Sequence, residues 1–137
     1  MQQAVLQHAR PAQHYRMQAM TARELHIYFR TTKTVGLEVC LLALADMLAH
    51  AGATLKQPAW IAAVDRSVEM FEAFHISHAV IVQPVRLLTG AEIMAGLQLP
   101  EGRALGQLLL DLSEAQAAGE LTTKAAALEW VRLQAHY

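Results

Sequence analysis

The chain holds one cysteine, Cys40, in 137 residues, so an internal disulfide is excluded. Cys40 lies in an apolar run and reads as core packing, and a lone cysteine agrees with a reducing cytoplasm. Aspartate is scarce: Asp46, Asp65 and Asp111 are the whole set, and no two are spaced to hold Mg²⁺ for phosphoryl transfer. There is no His-Asp dipeptide, no G-x-S-x-G, no P-loop and no dinucleotide-binding glycine pattern. The chain therefore offers no catalytic constellation and calls for no cofactor or metal of its own. His75 and His78 could supply two metal ligands, but no third is apparent, and a histidine also suits a helix end through the dipole. An excess of charge is missing too: 11 basic residues face 12 acidic ones. That balance excludes a strongly basic nucleic-acid binder and leaves room for a local patch. The longest apolar stretch, 35–51, carries Glu38 and Asp46 and falls short of a membrane span. The N-terminus has no apolar h-region, and no repeat or low-complexity tract occurs.

What is present is apolar and helical. The hydrophobic fraction is 54%, and the length suits one domain with a real core. Thr21 can cap a helix to about Thr31, with Leu25, Tyr28 and Phe29 on one face. The polar stretch 32–34 reads as a loop. Residues 35–50 are apolar on nearly every side, which predicts a central buried helix. Pro58 starts another helix, along which Trp60, Ile61, Val64, Val68, Phe71 and Phe74 recur as a core stripe. Ala79 to Val82 is strand-like but short and followed by Pro84, so it reads as an extended connector. After Pro100, Leu105, Leu108, Leu109, Leu112 and Ala115 form one stripe that Gly119 ends. Thr122 then caps a last helix carrying Leu128, Trp130 and Val131. The expectation is an all-α, compact multi-helix domain. Its body spans 1–82 and its helix-hairpin-helix-like tail spans 83–137, as one continuous unit.

Charge is uneven along the chain: before Thr34 stand Arg10, Arg16, Arg23, Arg30 and Lys33 against Glu24 alone. Asp46 inside the apolar helix would be costly without a partner, and Arg30 or Arg23 is the natural one. A solvated edge position for Asp46 is the competing reading. In the tail, one short helix opens at Thr89 and closes near Gly96, and a second opens at Pro100 with Gly102 and Gly106 in its first turns. Exposed amides at such a start can hold a phosphate without reading bases. An ordinary turn with Gly96 as C-cap accounts for the same residues.

Three stretches carry a family likeness. They are Val5-Leu6-Gln7-His8-Ala9-Arg10-Pro11; Tyr28-Phe29-Arg30-Thr31 through Leu37 with Leu41-Leu42-Ala43-Leu44-Ala45-Asp46; and the tail. The tail orders Thr89-Gly90, Pro100-x-Gly102, Gly106, Ala115-Gln116 and Gly119-Glu120-x-Thr122-Thr123. Together they resemble the C-terminal helical region of the bacterial tRNA nucleotidyltransferase and poly(A) polymerase (CCA-adding type) family, in the branch with an HD-type domain. Gln7 stands where the family often has a second histidine, the 32–34 loop lacks an acidic residue, and Ala125 and Ala126 replace acidic residues.

The resemblance implies an RNA-binding tail that holds tRNA or another RNA while a separate head adds nucleotides. The head's Gly-Ser and paired-aspartate motif is absent here, so Mg²⁺ and ATP or CTP belong to that head and the chain is expected to be inactive alone. HD-type residues would lie upstream of Met1. The RNA contacts expected are Thr89, Gly90, Gly102, Arg103, Gly106, Thr122 and Lys124; the expected internal ion pair is Arg30 with Asp46. Homo-oligomers fit as well. One rival is a protein-interaction or oligomerisation module of an HD-type phosphohydrolase. The other is a DNA-binding helix-hairpin-helix protein, which the near-neutral charge disfavours.

Overall fold

Thr21 starts the first helix through a reciprocal cap. The Glu24 N–H donates to Thr21 Oγ1 at 3.2 Å, and the Thr21 N–H donates back to Glu24 Oε2 at 2.7 Å. The computed structural model describes residues 19–135, so the likeness at 5–11 and the basic residues Arg10 and Arg16 lie outside the described residues. Among the described residues six α-helices follow one another: α1 (Ala22–Thr32), α2 (Gly36–Ala51), α3 (Gln57–His75), α4 (Gly90–Leu97), α5 (Arg103–Ala117) and α6 (Lys124–Ala135). The fold is all-helical, with no strand among the described residues.

Two apolar clusters organise it. Met20, Leu25, Tyr28, Phe29, Cys40, Met70 and Ala73 form the first, from α1, α2 and α3. Leu88, Ile93, Leu105, Leu108, Leu112, Ala127 and Val131 are among the residues of the second, from α4, α5 and α6. The chain passes from one cluster to the other between Val82 and Leu87. Helix α1 packs on both α5 and the 78–82 segment, so the two clusters are joined side by side.

Several expectations need correction. Residues 78–82 are not an extended connector but a π-helical turn, closed by the Gln83 N–H donating to the His78 carbonyl at 2.7 Å. The stretch 32–34 is no loop: Thr32 ends α1, and Lys33–Val35 form a 3₁₀ turn. Helix α2 is not buried all round. It buries Gly36, Val39, Cys40 and Ala43, and leaves Leu41, Leu42 and Leu48 exposed. On α3 the buried face is Ala63, Ser67, Met70 and Ala73, while Ile61 and Val68 are about half exposed. Apart from Val39 and Met70, small residues line the two buried faces, and several larger apolar side chains stand to the side. Residues 22–54 are apolar enough by composition to cross a membrane. The turn at Lys33 divides them into helices of 11 and 16 residues, each short of the roughly 20 that a span needs.

Two of the tail helices start later than expected, whereas α4 opens at its Thr89 cap as expected. Helix α5 opens at Arg103 rather than Pro100, because Gly102 is extended and glycine resists fixing in a helical turn. Gly96 lies inside α4; the left-handed C-cap is Gln98, at φ 53°. The cap of α6 is Thr123 rather than Thr122, for its Oγ1 accepts the Ala126 N–H at 3.2 Å. Gly119 does end α5. At φ 78° it lets its own N–H reach the Gln116 carbonyl and the Glu120 N–H reach the Ala115 carbonyl, each at 3.0 Å.

Candidate nucleic-acid interface

Of the seven residues expected to meet RNA, two have structural work. Thr89 caps α4: its N–H and hydroxyl donate to Glu92 Oε2 at 2.8 and 2.9 Å, and its Oγ1 accepts the Glu92 N–H. Lys124 Nζ donates to the other oxygen, Oε1 of Glu92, and so ties the start of α6 to α4. The Lys124 bond, then the Thr89 backbone and hydroxyl bonds, hold the Glu92 carboxyl down to about 2, against its ordinary 4.5. A depressed carboxylate stabilises the fold above its unfolded pKa, and that contribution is lost as pH falls from about 4.5 to about 2. Glu92→Gln should therefore flatten the acid limb of a stability-versus-pH curve in that window. An unchanged acid limb would show that the pair contributes nothing.

Gly90 packs its backbone on α5; a Cβ there would sit 3.6 Å from Leu109 and 3.8 Å from Leu105. Thr122 is exposed in the loop between α5 and α6. That leaves Gly102, Arg103 and Gly106. All three are exposed on the first turns of α5. Added Cβ atoms at Gly102 and Gly106 would meet nothing within 4 Å. No side chain caps α5. Arg103 has no ion pair or side-chain hydrogen bond among the described residues. No bond joins this trio to Thr89 or Lys124.

The rest of the tail motif has identifiable jobs. Gln116 clamps the connector before α4: its Nε2 donates to the Val85 carbonyl at 2.9 Å, and its Oε1 accepts the Leu87 N–H at 3.4 Å. Glu120 receives Arg23 Nη2 on both carboxylate oxygens, at 2.8 and 2.9 Å.

The expected Arg30–Asp46 pair does not form. Asp46 sits on the solvated side of α2, with its side chain 47% exposed, and pairs with His50 one turn on. Arg30 instead reaches α5, where Nη1 lies 2.7 Å from Glu114 Oε1. That nitrogen is buried and its N–H bonds are misaligned with the carboxylate, so the contact is charge attraction without a formed hydrogen bond. The sequence offered no reason to prefer Glu114, which lies far along the chain.

One constellation was not anticipated. His26, buried on α1, has Nδ1 2.7 Å from the Ile81 carbonyl in the π turn and Nε2 3.1 Å from Ser113 Oγ on α5. A carbonyl only accepts, so Nδ1 donates to it, and Nε2 and the Ser113 hydroxyl share a bond on the other side of the ring. Serine, histidine and an orienting acceptor in this order can make a nucleophile. Ser113 lies mid-helix, however, where neighbouring amides are committed to α5 and none is free to hold an oxyanion. The chain of bonds is a three-element tie.

It also forms one wall of an open cleft of about 970 Å³, lined by Phe74, Leu109, Arg30, Lys33 and Arg86 among others. His78, at the base of the π turn, donates Nδ1–H to the Phe74 carbonyl at 3.1 Å; His75 is exposed. No group of three potential metal ligands gathers among the described residues.

No protein-family model, curated protein or solved structure matches the chain.

Proposed function

We propose that the chain is the RNA-holding helical tail of a tRNA nucleotidyltransferase or poly(A) polymerase-like protein, gripping the RNA body while a separate head extends its end. The observation that carries this reading is Gly106. An exposed glycine inside a helix costs about 1 kcal/mol relative to alanine. Among the described residues, nothing outside its own helix backbone lies within 4 Å of a Cβ added there. A helical glycine with no packing reason of its own suits close approach of a ligand to backbone. Gly102, Arg103 and the uncapped amides of α5 lie on the same turns, and together they offer a cation and N–H donors to phosphate. Contacts of that kind suit a protein that must hold many RNAs by shape. Thr89 and Lys124, engaged with Glu92, are withdrawn from the contact set.

Arg103→Ala should weaken tRNA binding by about 1 kcal/mol, equally for different tRNAs. Gly106→Ala should move two readouts in opposite directions. The melting temperature should rise, because helix propensity improves, while RNA affinity falls. If both variants bind tRNA as the unaltered chain does, this turn is not the site.

A second reading has a specific observation behind it. Leu41, Leu42 and Leu48 on α2, with Ile61 and Val68 on α3, leave apolar surface uncovered. That favours an interaction or oligomerisation module of an HD-type protein, and strong self-association with weak RNA binding would support it.

A further inference from the structure

We propose that the cleft between α1, the π turn and α5 binds a small aromatic anion. Lys33 and Arg86 hold its phosphate or carboxylate head, and its ring lies against Phe74 and Leu109. The proposal stands apart from the RNA reading. Its first support is charge. Among the described residues, those lining the cleft include Arg30, Lys33 and Arg86 and no acidic side chain. Glu114 answers Arg30, but neither Lys33 nor Arg86 has an ion pair or side-chain hydrogen bond among the described residues. Two unneutralised cations beside apolar walls fit an anionic head on an apolar body.

The second support is backbone geometry. Lys33 ends α1 at φ 54°, ψ −130°, donating its N–H to the Phe29 carbonyl. The end of α2 has the same geometry at φ 46°, ψ −127°, and there the residue is Gly52. This region favours glycine, so a lysine held in it is strained, and such strain collects at binding sites. The third support is the π turn, whose His78 and Val82 line the same cleft; π turns interrupt regular helix and are frequent at functional sites.

Fluorescence titration with 2-naphthyl phosphate tests this, with 2-naphthol and inorganic phosphate as competitors. Saturable one-to-one binding is expected, and neither competitor should displace the probe at matching concentration. Lys33→Gln with Arg86→Gln should weaken it roughly tenfold or more, as expected for losing charged contacts. Both side chains are exposed, so the variant should melt normally. Lys33→Gly should melt higher, through relief of strain, yet bind more weakly. Arg103→Ala should bind the probe unchanged, which keeps this test separate from that of the RNA-binding turn. Absent saturable binding, or binding indifferent to the double variant, overturns the proposal. So does a double variant that loses tRNA affinity while the probe never binds, for these cations would then belong to the RNA surface.

Discussion

Gly36→Val is expected to destabilise the fold by about 3 kcal/mol, at the upper end of the usual cost of overpacking. Helix α2 begins at Gly36, where it crosses the end of α1. A Cβ on that residue would stand 2.7 Å from Thr32 Oγ1 and 2.9 Å from Phe29 Cδ1. Neither neighbour can move freely. Thr32 is fully buried with its hydroxyl donating to the Tyr28 carbonyl at 2.9 Å. The Phe29 ring meets Tyr28 edge-on at 5.1 Å and Phe74 at 5.3 Å. The Gly36 carbonyl itself accepts the buried Tyr28 hydroxyl at 2.6 Å, so a shift of α2 would strain that bond as well. For a chain of this size the melting point should drop by roughly 10 °C. A thermal melt within a degree or two of the unaltered chain would show that α1 and α2 are not pressed together as described.

His26→Ala should cost a similar amount, about 3 kcal/mol. The imidazole joins three elements, and its removal leaves the Ile81 carbonyl and the Ser113 hydroxyl without their partner. Each stranded polar group costs about 1–3 kcal/mol when kept from water, and the vacated ring adds a void. The cleft beside it lets water reach part of the site, which holds the total near the lower end of that sum. Ser113→Ala should cost less, about 1 kcal/mol, because the Nδ1 bond to Ile81 survives. Thermal melts rank the two. Amide exchange at Ile81, Val82 and Gln83 should speed up in His26→Ala, where the π turn loses its anchor. Equal melts for His26→Ala and the unaltered chain would mean that the two bonds carry no net stability.

Local signals explain what could be read from the sequence. Thr21 with Glu24, and Thr89 with Glu92, are spaced as capping boxes, and both start helices where that spacing predicts. The Leu105, Leu108, Leu112 and Ala115 stripe repeats every three or four residues and is buried as one face. Leu25, Tyr28 and Phe29 behave alike. Long-range choices were not legible. Helix α2 is so rich in apolar residues that composition could not single out its inward face. Close packing of Gly36 against Phe29 and Thr32 chose that face. Charge alone suggested Arg30 with Asp46, whereas the geometry of α1 on α5 gives Arg30 to Glu114. The π turn at 78–82 has β-favouring residues and takes its shape from tertiary contacts with α1, α3 and α5. His26 and Ser113 stand 87 positions apart, and no short-range pattern could pair them. In the tail motif, the sequence order was visible but the division of labour was not. Gln116, Gly119, Glu120 and Thr123 hold the fold, whereas among the described residues Gly102, Arg103 and Gly106 have no side-chain partner or packing neighbour outside their own helix.

The most direct test of the RNA-holding reading is the salt dependence of tRNA binding by the chain with and without Arg103. Affinities for several unrelated tRNAs, measured across a range of salt, should fall on similar log–log lines. Arg103→Ala should lower the slope by about one unit, the signature of one lost phosphate contact. Lines that superimpose for the two proteins, or an affinity for tRNA no greater than for duplex DNA of the same length, would contradict it.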